Sequence, residues 1–296
     1  MLSGCVPKDP LPRGIVYPSA SINVPFIPPR ENLCGSTSIQ MISEYWQSNS
    51  EYTSKLSIQE LDQRTFIPQK EGTLQAEMIT AARANGLIAY PMEPNFEALF
   101  SELNAHHPVL VLINRSYSWY PLWHYLPVNG YEGTTRKILT HFSDQPNEPI
   151  AIETFAEMWK RSGNWGVVLL PPGEIPASAS PKKFVRAVYE LEKIGMVNEA
   201  IQSYQSALIR WPQEAEISLI LANSYYRVHR MREAEESYRR FLVSDPSHPL
   251  AINNLAILLS ETGRKTEGLK LLDSASSKEK EIQNMLRDTR EEIMKK

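Results

Sequence analysis

An α+β domain followed by an all-α array is the architecture this sequence predicts. Three observations carry it. Residues 34–104 show mainly helical periodicity, and the chain then changes to short apolar runs such as Pro108–Ile113 and Trp165–Leu170, the pattern of sheet strands. A Pro- and Ser-rich stretch, Pro171–Ser180, follows as a linker by composition. Beyond it, prolines 212 and 246 stand 34 residues apart and equivalent positions recur in that frame. The predicted limits are a tether over 1–22, the α+β domain over 23–172, a linker over 173–180 and the helical array over 181–296.

Taken in order, prolines 7, 10, 12, 18, 25, 28 and 29 keep residues 6–30 extended. Asn23–Ile27 reads as a short edge strand. Arg30–Trp46 is the stretch around which the domain is organised: Cys34 ends a loop, and Ile39, Ile42, Tyr45 and Trp46 give a helix over 35–47 its apolar stripe. Ser57 and Glu60 have the spacing of a capping box for a second helix. Thr73–Glu77 opens a third, ending at Gly86. A strand over 88–91 and a helix over Phe96–Leu103 follow. Trp123–Tyr131 is a second long strand, with Arg136–Phe142 pairing back antiparallel after a turn at Glu132–Gly133. Phe155–Lys160 is helical, and Trp165–Leu170 is a further strand.

In the C-terminal part, Ala200 aligns with Ala234, Tyr204 with Tyr238, and Leu221–Ala222 with Leu255–Ala256. The pattern resembles the tetratricopeptide repeat, a helix–turn–helix unit with small residues where the helices touch. Two full units are followed by a third from Pro249 to Ala275, in which Gly268 stands where the pattern expects Ala. The charged segment 278–296 reads as the polar helix that caps such a solenoid.

Composition narrows the function. The formal net charge of −3 gives no basic footprint for nucleic acid. No apolar run reaches the ~18 residues that span a bilayer. No Cys/His cluster has zinc spacing, and no phosphate loop or dinucleotide fingerprint occurs, so neither a metal nor a cofactor is called for. The two cysteines are Cys5 and Cys34, and Cys5 lies in the extended N-terminus, which argues against a structural disulfide. Leu2-Ser3-Gly4-Cys5 resembles a bacterial lipobox. It implies lipidation at Cys5, with the following residues as a flexible tether. The localisation it implies is the cell envelope, on the periplasmic side of the outer membrane in a Gram-negative cell.

The remaining chemistry centres on Cys34. A thiol at a helix N-terminus meets free backbone N–H groups and the positive end of the helix dipole, which favour the thiolate; a buried structural thiol is the competing reading. A nucleophilic cysteine needs a base. Of six histidines, His229 and His248 fall in the repeats, His106–His107 look like a turn, and His141 lies near a strand end, open to solvent. His124 opens an apolar strand between Trp123 and Tyr125, shielded from bulk water. The aromatic run Tyr117–Tyr120 and Trp123 reads as a packed loop or as the wall of a substrate cleft.

Val24-Pro25-Phe26, Cys34-Gly35 and the helix to Tyr45 resemble the nucleophile segment of the bacteriocin-processing family of papain-like cysteine peptidases. His124 leading to Val128–Tyr131 resembles that family's histidine strand, and Phe155, Trp159 and Trp165–Val168 resemble its closing helix and strand. The likeness runs over 24–170. With the repeats it extends to a subgroup of bacterial lipoproteins carrying C-terminal tetratricopeptide repeats. The resemblance implies a papain-like fold in which the Cys34 thiolate attacks a peptide carbonyl, His124 shuttles the proton, and Asp144 orients the imidazole, with Asn147 as its rival. The family places a Gln five residues before the Cys as an oxyanion donor; Pro29 stands there in this chain. The Cys34 N–H remains as a donor, with Asn32 or Arg30 as a second. The implied partners are a peptide or protein substrate and a protein bound by the repeats, with membrane attachment by the lipid anchor only. The alternative is a catalytically weak or inactive peptidase-like scaffold; a transglutaminase-like acyl transferase would use the same pair.

Overall fold

The computed structural model describes Leu11 and residues 17–295. The lipobox and most of the expected tether lie outside the described residues. Contacts divide the chain into two units, 1–194 and 195–296.

The first unit is built on an antiparallel sheet. Its strands are β1 (Ala20–Ser21), β2 (Ile88–Pro91), β3 (Val109–Asn114), β4 (Trp123–Glu132), β5 (Lys137–Thr140), β6 (Glu148–Ala151) and β7 (Gly166–Leu170). The order is β2-β7-β3-β4-β5-β6, with β1 on the far part of β4 at Tyr131 and Gly130. β3 is buried along its whole length, as its continuous apolar run predicts. The edge strand expected at 23–27 forms instead at 20–21. Within that stretch Pro25 has no N–H to give a ladder, and the Val24 N–H turns back to the Ile22 carbonyl at 2.9 Å, so the pairing onto β4 ends with the Ile22 N–H, which donates to the Asn129 carbonyl at 2.8 Å.

Three helices lie between β1 and β2: α1 (Cys34–Asn49), α2 (Ile58–Thr65) and α3 (Gln75–Ala84). Ser57 and Glu60 form the predicted capping box on α2. α1 buries Ile39, Ile42, Tyr45 and Trp46, and the Trp46 indole donates to the Leu169 carbonyl at 2.8 Å, which fixes α1 on the sheet. Gly35 brings α1 close to the start of α3: a Cβ there would lie 2.7 Å from the Met78 sulfur and 3.0 Å from the Thr73 hydroxyl. α4 (Phe96–Asn104) and α5 (Ile152–Lys160) complete the domain.

The segment 173–180 is fastened to the first unit. The carboxylate of Glu102, fully buried, accepts from the Ala177 and Ser178 N–H groups at 3.0 and 2.7 Å and from the Ser178 hydroxyl at 2.5 Å. His107 Nδ1 lies 2.7 Å from the same carboxylate, so this histidine is a buried pin rather than a turn-tip residue. α6 (Pro181–Lys193), which the repeat spacing assigns to the C-terminal array, packs on β2 and α3, with Arg83–Glu190 and Lys183–Glu93 ion pairs.

The second unit is all α: α7 (Val197–Arg210), α8 (Ala215–Arg227), α9 (Met231–Ser244), α10 (Pro249–Glu261), α11 (Lys265–Leu272) and α12 (Lys280–Lys295). Ala200, Tyr204, Ala234 and Tyr238, the aligned positions, are all buried. Gly268 is there for close approach: an added Cβ would sit 2.7 Å from the Ala256 carbonyl oxygen on α10. The charged α12 buries Ile293 in a cluster with Ile252, Ala256 and Leu272, covering the end of the array. This is the expected fold class, an α+β domain followed by a tetratricopeptide-type array.

Candidate active site

Cys34 is the first residue of α1, and no side chain caps that helix end. The free N–H groups of its first turn therefore remain available around the thiol. Ser38, one turn on, is fully buried, its hydroxyl 2.7 Å from the Cys34 carbonyl and 3.2 Å from the Tyr125 carbonyl. It ties the start of α1 to the start of β4. His124 is the second residue of β4, paired with Ile113 of β3. Helix start and strand start meet on one small cavity lined by Cys34, His124, Tyr125, Pro29, Arg30 and His141, among others. The two residues the sequence singles out are thus brought together.

The electrostatics set the resting protonation. Burial pushes the Cys34 thiol up; the backbone N–H groups of Tyr125, Gly35 and Cys34 and the charge of Arg115 oppose it without prevailing. Burial, aided by Arg115, lowers His124 to about 4, against the pull of the hydrogen bond it makes to the Phe142 carbonyl. Both shifts favour neutral partners, so the pair rests as thiol and imidazole rather than thiolate and imidazolium.

Asp144 does not take the expected place. It is exposed, and the ring N–H of His124 donates to the backbone carbonyl of Phe142. The turn after β5 that carries Asp144 is braced instead through its neighbours. The Asn147 N–H donates to His141 Nδ1 at 3.1 Å, His141 Nε2 donates to the Val24 carbonyl at 2.9 Å, and Asn129 donates to the Asn147 side chain at 2.5 Å. Asn147, the rival orienter, therefore serves the turn. His141, expected to face solvent, is buried, because the segment before Pro25 covers the end of β5.

The second oxyanion donor is also displaced. Asn32 is exposed with φ of 60° and does not line the cavity. Arg30 does line it, but its guanidinium is engaged by Asp62 at 2.7 and 2.8 Å, by the Thr37 hydroxyl at 3.2 Å and by the Ser36 hydroxyl at 3.3 Å. The Cys34 N–H is the donor left from the predicted set.

Arg115 is the functional residue that sequence reasoning passed over. Its guanidinium stacks over the Phe142 ring at 4.6 Å, and its charge bears on both Cys34 and His124. A cation nine residues before the histidine is the only sequence signal it leaves. The aromatics Tyr117–Trp123 do not line the cavity, so they are not its wall. Among the described residues no group of three or more His, Cys, Asp or Glu is arranged to hold a metal, and no helix is long and apolar enough to cross a membrane.

Residues 21–167 match the Peptidase_C39 like family. No curated protein matches the chain. Among solved structures, a candidate C39-like peptidase from Bacillus anthracis is 15% identical over 52% of this chain and 98% of its own, with a TM-score of 0.42. The Yersinia enterocolitica type III secretion chaperone SycD, in complex with a peptide of the translocator YopD, is 18% identical over 38% of this chain and 91% of its own, with a TM-score of 0.36. A tetratricopeptide repeat protein from Parabacteroides merdae is 19% identical over 39% of this chain and 50% of its own, with a TM-score of 0.34. The family match spans both the helix start that carries Cys34 and the strand start that carries His124, and on it the N-terminal domain of this chain belongs to the Peptidase_C39 like family.

Proposed function

We propose that the N-terminal domain is a cysteine peptidase in which Cys34 is the nucleophile and His124 the general base. The observation that carries the reading is the opening of both side chains onto one cavity, with the Tyr125 N–H directed at the Cys34 sulfur. The neutral imidazole takes the thiol proton through the ring nitrogen not bonded to Phe142 as sulfur attacks the peptide carbonyl. It returns that proton to the leaving amine as the tetrahedral adduct collapses to a thioester, and water then releases the acid. The Cys34 N–H faces the developing oxyanion. Lipidation at Cys5 would hold the enzyme at the cell envelope, supported by Leu2-Ser3-Gly4-Cys5, and the helical array would recruit a protein partner.

The test is turnover of a peptide library followed by mass spectrometry, because a raised thiol makes alkylation near neutrality a weak readout. Cleavage that disappears in Cys34→Ser and in His124→Ala, both still folded, supports the peptidase. Cleavage unchanged in Cys34→Ser sinks it. A binding role is favoured by a different observation: Pro29 offers no donor and Arg30 is committed to Asp62. Under that reading wild type and Cys34→Ser bind the same peptides equally and neither cleaves them.

A further inference from the structure

We propose that the hairpin joining β3 to β4 is a docking surface for an anionic lipid bilayer. Tyr117, Trp119, Tyr120, Leu122 and Trp123 are 65%, 81%, 69%, 54% and 48% exposed. Of the twelve large hydrophobic residues exposed among the described residues, these five fall within seven positions, so they form a patch rather than scattered surface apolar groups.

The backbone that carries the patch is braced by side chains. Asn114, 1% exposed, binds both sides of the hairpin: its carboxamide oxygen accepts from the Ser116 and Leu122 N–H groups at 2.9 Å each, and its Nδ2 donates to the Tyr117 carbonyl at 3.3 Å. Arg161 donates to the Asn114 and Ser116 carbonyls at 3.3 and 3.0 Å. Tyr117 stacks on Trp119 with ring centroids 5.7 Å apart. A surface ordered in advance loses little freedom on binding.

Charge selects the occupant. Residues 115–125 contain no carboxylate, while the exposed Arg115 and Arg161 stand at the base of the hairpin, Arg115 over the Phe142 ring and Arg161 on the Ser116 carbonyl. Trp and Tyr with an aliphatic neighbour, above two arginines at the hairpin base, is the chemistry of a membrane interface with anionic headgroups. A second copy of this chain would bring cation against cation. The catalytic cavity does not include these side chains. The inference is independent of the peptidase reading and of acylation at Cys5, but Trp123 precedes His124, so a docked hairpin brings the cavity to the lipid surface.

The experiment uses the full, unacylated chain and co-sedimentation with vesicles rich in phosphatidylglycerol or made of phosphatidylcholine alone. The wild type is expected to partition onto the anionic vesicles, more weakly at high salt, and Trp119→Ser/Tyr120→Ser to bind about tenfold less. Brominated acyl chains are expected to quench wild-type tryptophan fluorescence. These exposed positions make no core contacts, and circular dichroism verifies that the variant folds. A wild type that stays in the supernatant at about 1 mM anionic lipid overturns the inference, as does a variant that binds equally. So does a hairpin variant that loses only capture of a soluble polypeptide, which assigns the patch to a protein.

Discussion

His124 donates its ring N–H to the backbone carbonyl of Phe142, while Asp144, two residues further on, stands exposed. A carbonyl fixes the tautomer and ring orientation without adding a full negative charge beside the imidazole. The imidazolium formed during catalysis is therefore less stabilised than it would be beside a carboxylate. Asp144→Asn is expected to change kcat/KM by less than about threefold, whereas His124→Ala abolishes turnover. A loss of a hundredfold or more in Asp144→Asn would mean that the carboxylate swings in when substrate binds.

Arg115 lowers the proton affinity of both members of the pair. Its replacement by Gln therefore moves both in one direction: His124 titrates above its present value of about 4, and Cys34 rises further. The imidazole resonances of His124, followed by NMR against pH, check the first shift, and the pH dependence of Cys34 alkylation checks the second. A His124 midpoint unmoved in Arg115→Gln would show that burial alone sets it.

A histidine lowered on folding also couples stability to pH. The unfolded chain binds the proton at the usual value near 6.5, the native site only at about 4. Protons thus favour the unfolded state, and stability falls as pH drops from about 6.5 towards 4, by on the order of 3 kcal/mol from this group. His141, lowered by burial in the same way, adds in the same direction. Urea midpoints measured across that range should decline, and His124→Gln should decline less steeply than wild type.

The long apolar runs, the capping box and the helix start at Cys34 were legible because they depend on local pattern. So was the meeting of Cys34 and His124 on one cavity, through the family-like flanks. β6 was not, since Glu148–Ala151 has little strand character and forms by pairing on β5. The orienting group escaped for a related reason: a main-chain carbonyl has no sequence signature. The seat of Arg115 on Phe142 and the pinning of 177–178 by Glu102 are tertiary facts. Gly268 looked like a weak repeat position, and only the proximity of the Ala256 carbonyl shows that the array needs it.

Gly268→Ala is accordingly expected to destabilise the second unit rather than improve its match to the repeat pattern. The helix-propensity gain of up to about 1 kcal/mol is outweighed by a Cβ 2.7 Å from a backbone oxygen, where overpacking costs about 1–3 kcal/mol. Hydrogen exchange should report faster opening of α10 and α11 with α1–α5 unaffected.

Pro29 borders the cavity beside Cys34 and has no N–H, and the guanidinium next to it is occupied by Asp62. If the rate is limited by an oxyanion with one donor short, Pro29→Gln should raise kcat more than it lowers KM. A donor that acts on the tetrahedral adduct does not act on the ground state. One oxyanion donor is worth on the order of 3 kcal/mol, so the ceiling is a gain of about a hundredfold or more; a Gln only partly held in place would reach less. Asp62→Asn tests the same deficit from the other side, by loosening Arg30 towards the cavity. A rise in kcat there, with Pro29→Gln silent, would identify Arg30 as the substitute donor. No gain in either variant would mean that the Cys34 N–H and the first turn of α1 already suffice.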